Sequence, residues 1–167
     1  MIENIYKAED KPAIKKKFIR PDLSYAKVLV VDDTQANLDV AAALLGKYKM
    51  AVDCVLSGQE AIERIHSVQQ VYNAIFLDYM MPGIDGIETA ISIRNLGTEY
   101  ARKIPIIALT ANAIQGIEDM FYANDFQDFL SKPINIMRLD SVIRKWVSDI
   151  NANTGPLYRG GECFTMR

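Results

Sequence analysis

The chain has 167 residues, enough for one domain with a full core, and its 50% hydrophobic and 24% charged residues are ordinary globular composition. A formal net charge of −2 supplies no broad attraction to nucleic acid or an anionic membrane surface, and no segment approaches the roughly 18 apolar residues of a membrane span. Two cysteines, Cys54 in an apolar run and Cys163 near the C-terminus, make neither a disulfide framework nor a metal-ligand pair, so a reducing cytoplasm is the expected compartment.

Residues 1–25 mix charge with Pro12, Pro21 and a small basic cluster, Lys15 to Lys17, and read as an extension or linker without the apolar core of a signal peptide. From Ala26 strands and helices alternate. Lys27 to Val31 is a β-branched run ending in Asp32 and Asp33, followed by a helix over 35–47 with Leu38, Ala42 and Leu45 on one face. Ala51 to Leu56 is a second strand, and Ser57 with Glu60 reads as a capping box opening a helix that carries Ala61, Ile62 and Ile65. The third strand, 74–77, is a continuous apolar run that meets Asp78 and a Met-Pro-Gly turn.

Asp85 with Glu88 caps the third helix, whose apolar face is read as Ile87, Ala90 and Ile91. Strand four is Ile104 to Leu109, and a helix over 113–123 is expected to bury Ile114, Ile117 and Phe121. Strand five is Asp128 to Leu130; Asn135 caps a fifth helix with Leu139, Val142, Ile143 and Trp146 inward. Five successive β-then-α units predict an α/β domain over 26–149, a doubly wound parallel sheet with helices on both faces, and residues 150–167 read as a tail.

In a parallel sheet all C-terminal strand ends share one edge, where open α/β folds bind ligands. Asp32 and Asp33 end strand one, Asp78 strand three and Thr110 strand four, while Lys132 follows strand five. Singly, each has a plain reading: a strand-end turn or helix cap, a β-branched strand residue, a surface lysine. Together at one edge they point to a site. Three converging carboxylates repel unless a cation neutralises them, and a hard divalent ion suits their oxygens. Mg²⁺ fits better than Zn²⁺, since the only histidine, His66, falls on the second helix and reads as exposed. With a lysine and a hydroxyl beside it, a metal-bound carboxylate such as Asp78 can itself accept a phosphoryl group.

VLVVDD at 28–33, FLDYMMPGIDG at 76–86, PIIALTANA at 105–113 and DFLSKPI at 128–134 occur in order, and with them the chain strongly resembles the receiver domains of two-component response regulators. The resemblance implies a flavodoxin-like five-stranded sheet of order 2-1-3-4-5 with five helices. It also implies phosphorylation of Asp78 by a phosphohistidine on a sensor histidine kinase or a histidine phosphotransfer protein. On the same pattern Asp33 and Asp78 bind Mg²⁺ through their side chains, Met80 through its backbone carbonyl, and Asp32 through a metal-bound water. Thr110 and Lys132 hold phosphoryl oxygens, and Phe129 occupies the place of an aromatic that turns inward when the threonine moves. The fourth helix, fifth strand and fifth helix form the face expected to meet a downstream protein.

Many relatives carry glycine where Asp125 stands, a residue that tolerates a left-handed backbone better than most. About twenty residues follow Trp146, so no DNA-binding or catalytic effector domain is expected in this chain, and residues 1–25 hold no kinase core. MPGIDG, IALTANA and FLSKP resemble the receivers of hybrid histidine kinases in particular. Two other readings use the same residues. A haloacid-dehalogenase-type phosphatase would carry a second aspartate two residues after the nucleophile, where Met80 stands. A receiver-like binding module that is never phosphorylated would lack part of the acidic, Thr and Lys set, which is whole here. A dinucleotide site is disfavoured, because no GxGxxG follows strand one.

Overall fold

The computed structural model describes residues 18–67, 69–111 and 117–147. The strands are β1 (Lys27–Val31), β2 (Ala51–Val55), β3 (Ala74–Asp78), β4 (Ile106–Thr110) and β5 (Asp128–Ser131). They pair in parallel in the order β2-β1-β3-β4-β5, the doubly wound arrangement expected. Registers run Val30↔Phe76, Phe76↔Ile107 and Ile107↔Asp128, so the strand ends lie along one edge.

The helices are α1 (Gln35–Gly46), α2 (Gly58–His66), α3 (Gly86–Arg94), α4 (Glu99–Lys103), α5 (Ile117–Ala123) and α6 (Ile136–Trp146). The count is six, not five: α4 is a five-residue turn, capped by Thr98 Oγ1 accepting from the Ala101 amide at 3.1 Å. Ile104 serves as its C-cap, and Pro105 follows, so β4 begins at Ile106 and not at Ile104.

Side-chain alternation divides the core between the two faces of the sheet. Val28, Val30, Phe76, Ile107 and Leu109 pack with Leu38 and Leu45 of α1 and Leu139, Val142 and Ile143 of α6. Leu29, Val31, Ile75, Leu77 and Ile106 pack on the opposite face with Ala61 and Ile65 of α2, Ala90 and Ile93 of α3 and Phe121 of α5. All five residues of β3 are buried, which explains its unbroken apolar run. Each such aliphatic or aromatic side chain contributes about 1.5–3 kcal/mol on burial.

Caps set the helix entries. Asp85 and Glu88 form a full reciprocal capping box, and Asn135 Oδ1 accepts from the Met137 and Arg138 amides. Ser57 accepts from the Glu60 amide, but the Glu60 carboxylate meets the Ser57 hydroxyl, so only half of that box forms. On α3 the inward residue after Ala90 is Ile93 and not Ile91, which is 45% exposed. Asp125 does adopt the left-handed conformation, with φ 61°. Ile114, the side chain of Ile117, the Lys15 to Lys17 cluster, Cys163 and the tail lie outside the described residues.

Candidate functional site at the C-terminal edge of the sheet

β1 delivers Asp32, which is 1% exposed, and β3 ends on Asp78, which is 5% exposed; Asp33 faces solvent. Carboxylate oxygens of Asp32, Asp33 and Asp78 approach one another to within 4.8 Å. Lys132 closes the cluster from the end of β5, with Nζ 2.5 Å from Asp32 Oδ2 and 2.8 Å from Asp78 Oδ2. Its backbone amide donates to the Thr110 carbonyl at 2.7 Å, tying the ends of β4 and β5 together. Thr110 is buried at the end of β4, and the Lys132–Pro133 peptide is cis.

The remaining oxygens are held from the chain that follows each strand. Asp32 Oδ1 accepts from the Thr34 amide and from Asn37 Nδ2, both at 2.9 Å. Asp78 Oδ1 accepts from the Met80 amide at 3.1 Å, while the Met80 side chain is 68% exposed. Asn37 is a site residue that sequence pattern does not reveal. Its only signal there is a polar side chain in the first turn of α1, five residues after Asp32.

Burial pushes the Asp78 carboxyl above its ordinary value; hydrogen bonds from Lys132 and Met80 oppose this, and the Asp32 charge adds to it. Asp32 is equally penalised by burial, yet the donors Lys132, Asn37 and Thr34 outweigh it and hold the group below the usual carboxylate range. For Lys132 burial pulls downward and the two carboxylates overcome it, so the ammonium is held above its ordinary value. Among the described residues Lys132 thus pairs with two of the three clustered acid groups, and the third, Asp33, lies at the solvent edge. An all-oxygen donor set with one cation too few fits a hard divalent ion, and Mg²⁺ in particular keeps open positions for water or phosphate oxygens.

Farther along the same edge, Tyr79 directly after Asp78 packs edge-on against Phe121 with ring centroids 5.3 Å apart. Phe121 in turn stacks on Phe129 of β5 at 6.0 Å. Phe129 is half-buried. His66 and Cys54 are exposed and stand apart from the cluster.

A doubly wound parallel sheet whose C-terminal edge gathers buried aspartates around a lysine places the chain in the flavodoxin-like class of α/β folds, whose ligand sites lie outside the carboxyl ends of the strands. The response regulator receiver domain profile matches residues 28–144, and the chain belongs to that family, a signalling domain of two-component systems and not a classical enzyme. It is 34% identical over 140 residues to hybrid signal transduction histidine kinase L of Dictyostelium discoideum, covering 83% of this chain and 8% of that protein. It is 33% identical over 131 residues to the sensor histidine kinase GacS of Pseudomonas protegens, covering 78% of this chain and 14% of that one. The chain thus spans a small fraction of these relatives' length.

Among solved structures, the receiver domain of a sensor histidine kinase from Pseudomonas aeruginosa, with a magnesium ion in its active-site cleft, superposes with a TM-score of 0.65. It is 32% identical, over 74% of this chain and 98% of that one. The Saccharomyces cerevisiae complex of the histidine phosphotransfer protein Ypd1 with the receiver domain of Ssk1 matches at a TM-score of 0.67 and 26% identity, over 80% and 94% of the chains. Among the described residues no helix is long and apolar enough to cross a membrane.

Proposed function

We propose that Asp78 accepts a phosphoryl group from a phosphohistidine on a sensor histidine kinase or phosphotransfer protein, and that the charge so added switches the surface formed by α5, β5 and α6. The observation that carries this reading is the Lys132 ammonium shared between Asp32 and Asp78 at the solvent edge of the acidic cluster. Asp33, Asp78 and the Met80 carbonyl would hold Mg²⁺, with Asp32 assisting through water; when bound, the ion neutralises charge on the transferring group. Asp78 Oδ1 is oriented by the Met80 amide, and Oδ2 by Lys132, so the carboxylate is fixed before a donor arrives. Lys132 then exchanges a carboxylate partner for a phosphoryl oxygen.

A phosphoryl group brings about 1.5 to 2 negative charges and three acceptors. Thr110, buried beside Lys132 at the ends of β4 and β5, moves toward it, and the space Thr110 leaves is taken by Phe129. The partners of the related proteins support a phosphorelay setting: hybrid kinases carry matching domains, and the yeast receiver domain of Ssk1 is bound by a histidine phosphotransfer protein. The domain also catalyses its own labelling and hydrolysis in this reading, since small donors need only the same residues. A phosphatase acting on external esters is disfavoured by Met80, which supplies no acid or base where that chemistry needs one.

Incubation with Mg²⁺ and acetyl phosphate should add one phosphoryl group, mapped to Asp78 and abolished in Asp78→Asn. Absence of label from both acetyl phosphate and a phosphohistidine donor overturns the reading. Turnover of many phosphate esters per chain would favour the phosphatase instead.

A further inference from the structure

β5 begins on a carboxylate, Asp128, that is only 2% exposed. Donors from α6 converge on it. Arg138 Nη2 pairs with Oδ1, Trp146 Nε1 donates to Oδ2 at 3.0 Å, and Lys145 Nζ stands 3.9 Å from Oδ2. The amide of the next residue, Phe129, donates to Oδ1 at 2.9 Å. A buried charge requires such pairing, so the cluster is in part a structural weld between β5 and α6.

The Arg138 side chain does a second thing. Its guanidinium carbon lies 5.6 Å from the centroid of the Phe129 ring, so one group grips Asp128 and covers the adjacent aromatic. The planar guanidinium suits both tasks, binding the carboxylate through its edge and the ring through its face, whereas an ammonium lacks that geometry. Phe129 is half-buried and stacked on Phe121, whose ring also meets Tyr79 beside Asp78.

We propose that Arg138 is the positioning residue of the Phe129 switch: held by Asp128, it sets the resting position of the ring, and Trp146 on the same carboxylate carries a change of that position into α6. This rests on the reading of Asp78 as phosphoacceptor and of Phe129 as the aromatic that turns. A cation–ring contact of this kind biases an equilibrium by about two- to five-fold, small enough for phosphorylation to override.

The test places para-fluorophenylalanine at position 129 and records fluorine NMR with Mg²⁺, before and after acetyl phosphate, while intact mass reports the label on Asp78. Arg138→Met should label as fully as the parent chain. Its resting resonance should already be displaced toward the phosphorylated position, by a population change of about two- to five-fold, with Arg138→Lys between the two. Trp146, the only tryptophan in the chain, should change emission in step. Should Arg138→Met fail to fold, Arg138→Lys must still show the smaller shift of the same sign. A resting resonance coincident with the parent, or displaced away from the phosphorylated position, overturns the proposal and leaves Arg138 a structural pair for Asp128. Absence of label on Asp78 in the parent chain defeats the underlying reading, and this proposal with it, and mass alone makes that outcome distinct.

Discussion

The carbonyl oxygen of Asp78 lies so close to Gly86 that a Cβ on that glycine would stand 2.4 Å from it, and 2.8 Å from the Tyr79 Cα. Gly86 opens α3, and its amide donates to the Tyr79 carbonyl at 3.0 Å, closing the loop that leaves the strand ending on Asp78. Both obstacles are backbone, so no rotamer change relieves them. Gly86→Ala should therefore destabilise the domain by about 1–3 kcal/mol in urea denaturation. It should also slow acetyl phosphate labelling of Asp78, because the displaced loop carries the Met80 amide that orients the carboxylate. An unchanged midpoint together with an unchanged labelling rate would show that the loop accommodates a methyl group.

In the proposed function Lys132 and a divalent cation would draw on the same carboxylates, which sets their effects against each other. Lys132→Met removes a positive charge 2.8 Å from Asp78 Oδ2 and should tighten Mg²⁺ binding, by about ten-fold at low salt. The same variant should label more slowly, having lost its contact for the incoming phosphoryl oxygens. Calorimetric Mg²⁺ titration and labelling kinetics measure the two separately; a weakened Mg²⁺ affinity would contradict the shared-ligand arrangement.

Arg94 at the end of α3 ties the neighbouring α4 to the turn at Asp125, which is remote in sequence. Its guanidinium donates to the carbonyls of Ala101 and Ile104, both at 2.8 Å, to the Asp125 carbonyl at 3.0 Å and to Gln127 Oε1 at 2.8 Å. These bonds hold α4 and the turn at Asp125, whose left-handed backbone leads into β5. Arg94→Met should cost about 2 kcal/mol, since the carbonyls of the buried residues Ala101 and Ile104 lose this donor. Amide hydrogen exchange should rise at 98–105 and 124–127 before the rest of the sheet opens. Uniform exchange across the domain would refute a local role.

The gathering of the candidate site's residues at one sheet edge is largely legible in the sequence because the strands before it are simple. Runs such as 28–31 and 74–77 are apolar without interruption, a pattern that only doubly covered parallel strands tolerate, and their C-terminal polar residues must then share an edge. What escaped was set by tertiary contact. Helix α4 has five residues, too few for a period to declare itself, and its Thr98 cap sits within what reads as a loop. Ile91 and Ile93 are both apolar on α3, and only the packed sheet decides that Ile93 is inward. Asn37, Arg94 and Arg138 read as ordinary polar helix residues until the fold turns their acceptors toward them.

Tyr72 allows a pH test remote from the acidic cluster. Its hydroxyl donates to Asp53 Oδ2 at 2.8 Å; burial first, then the hydrogen bond and charge of Asp53, push its pKa up to about 12 from an ordinary 10.0. The folded state thus keeps the neutral phenol more firmly than the unfolded chain does. The resulting stabilisation is fully present below about pH 10 and is lost as pH rises toward about 12, where the folded phenol also ionises. The difference in denaturation midpoint between the parent chain and Tyr72→Phe should accordingly shrink over that window and stay constant below it. Asp53→Asn removes the charge that disfavours the phenolate, so tyrosinate absorbance should appear at lower pH in that variant than in the parent. A titration curve unmoved by Asp53→Asn would assign the raised pKa to burial alone.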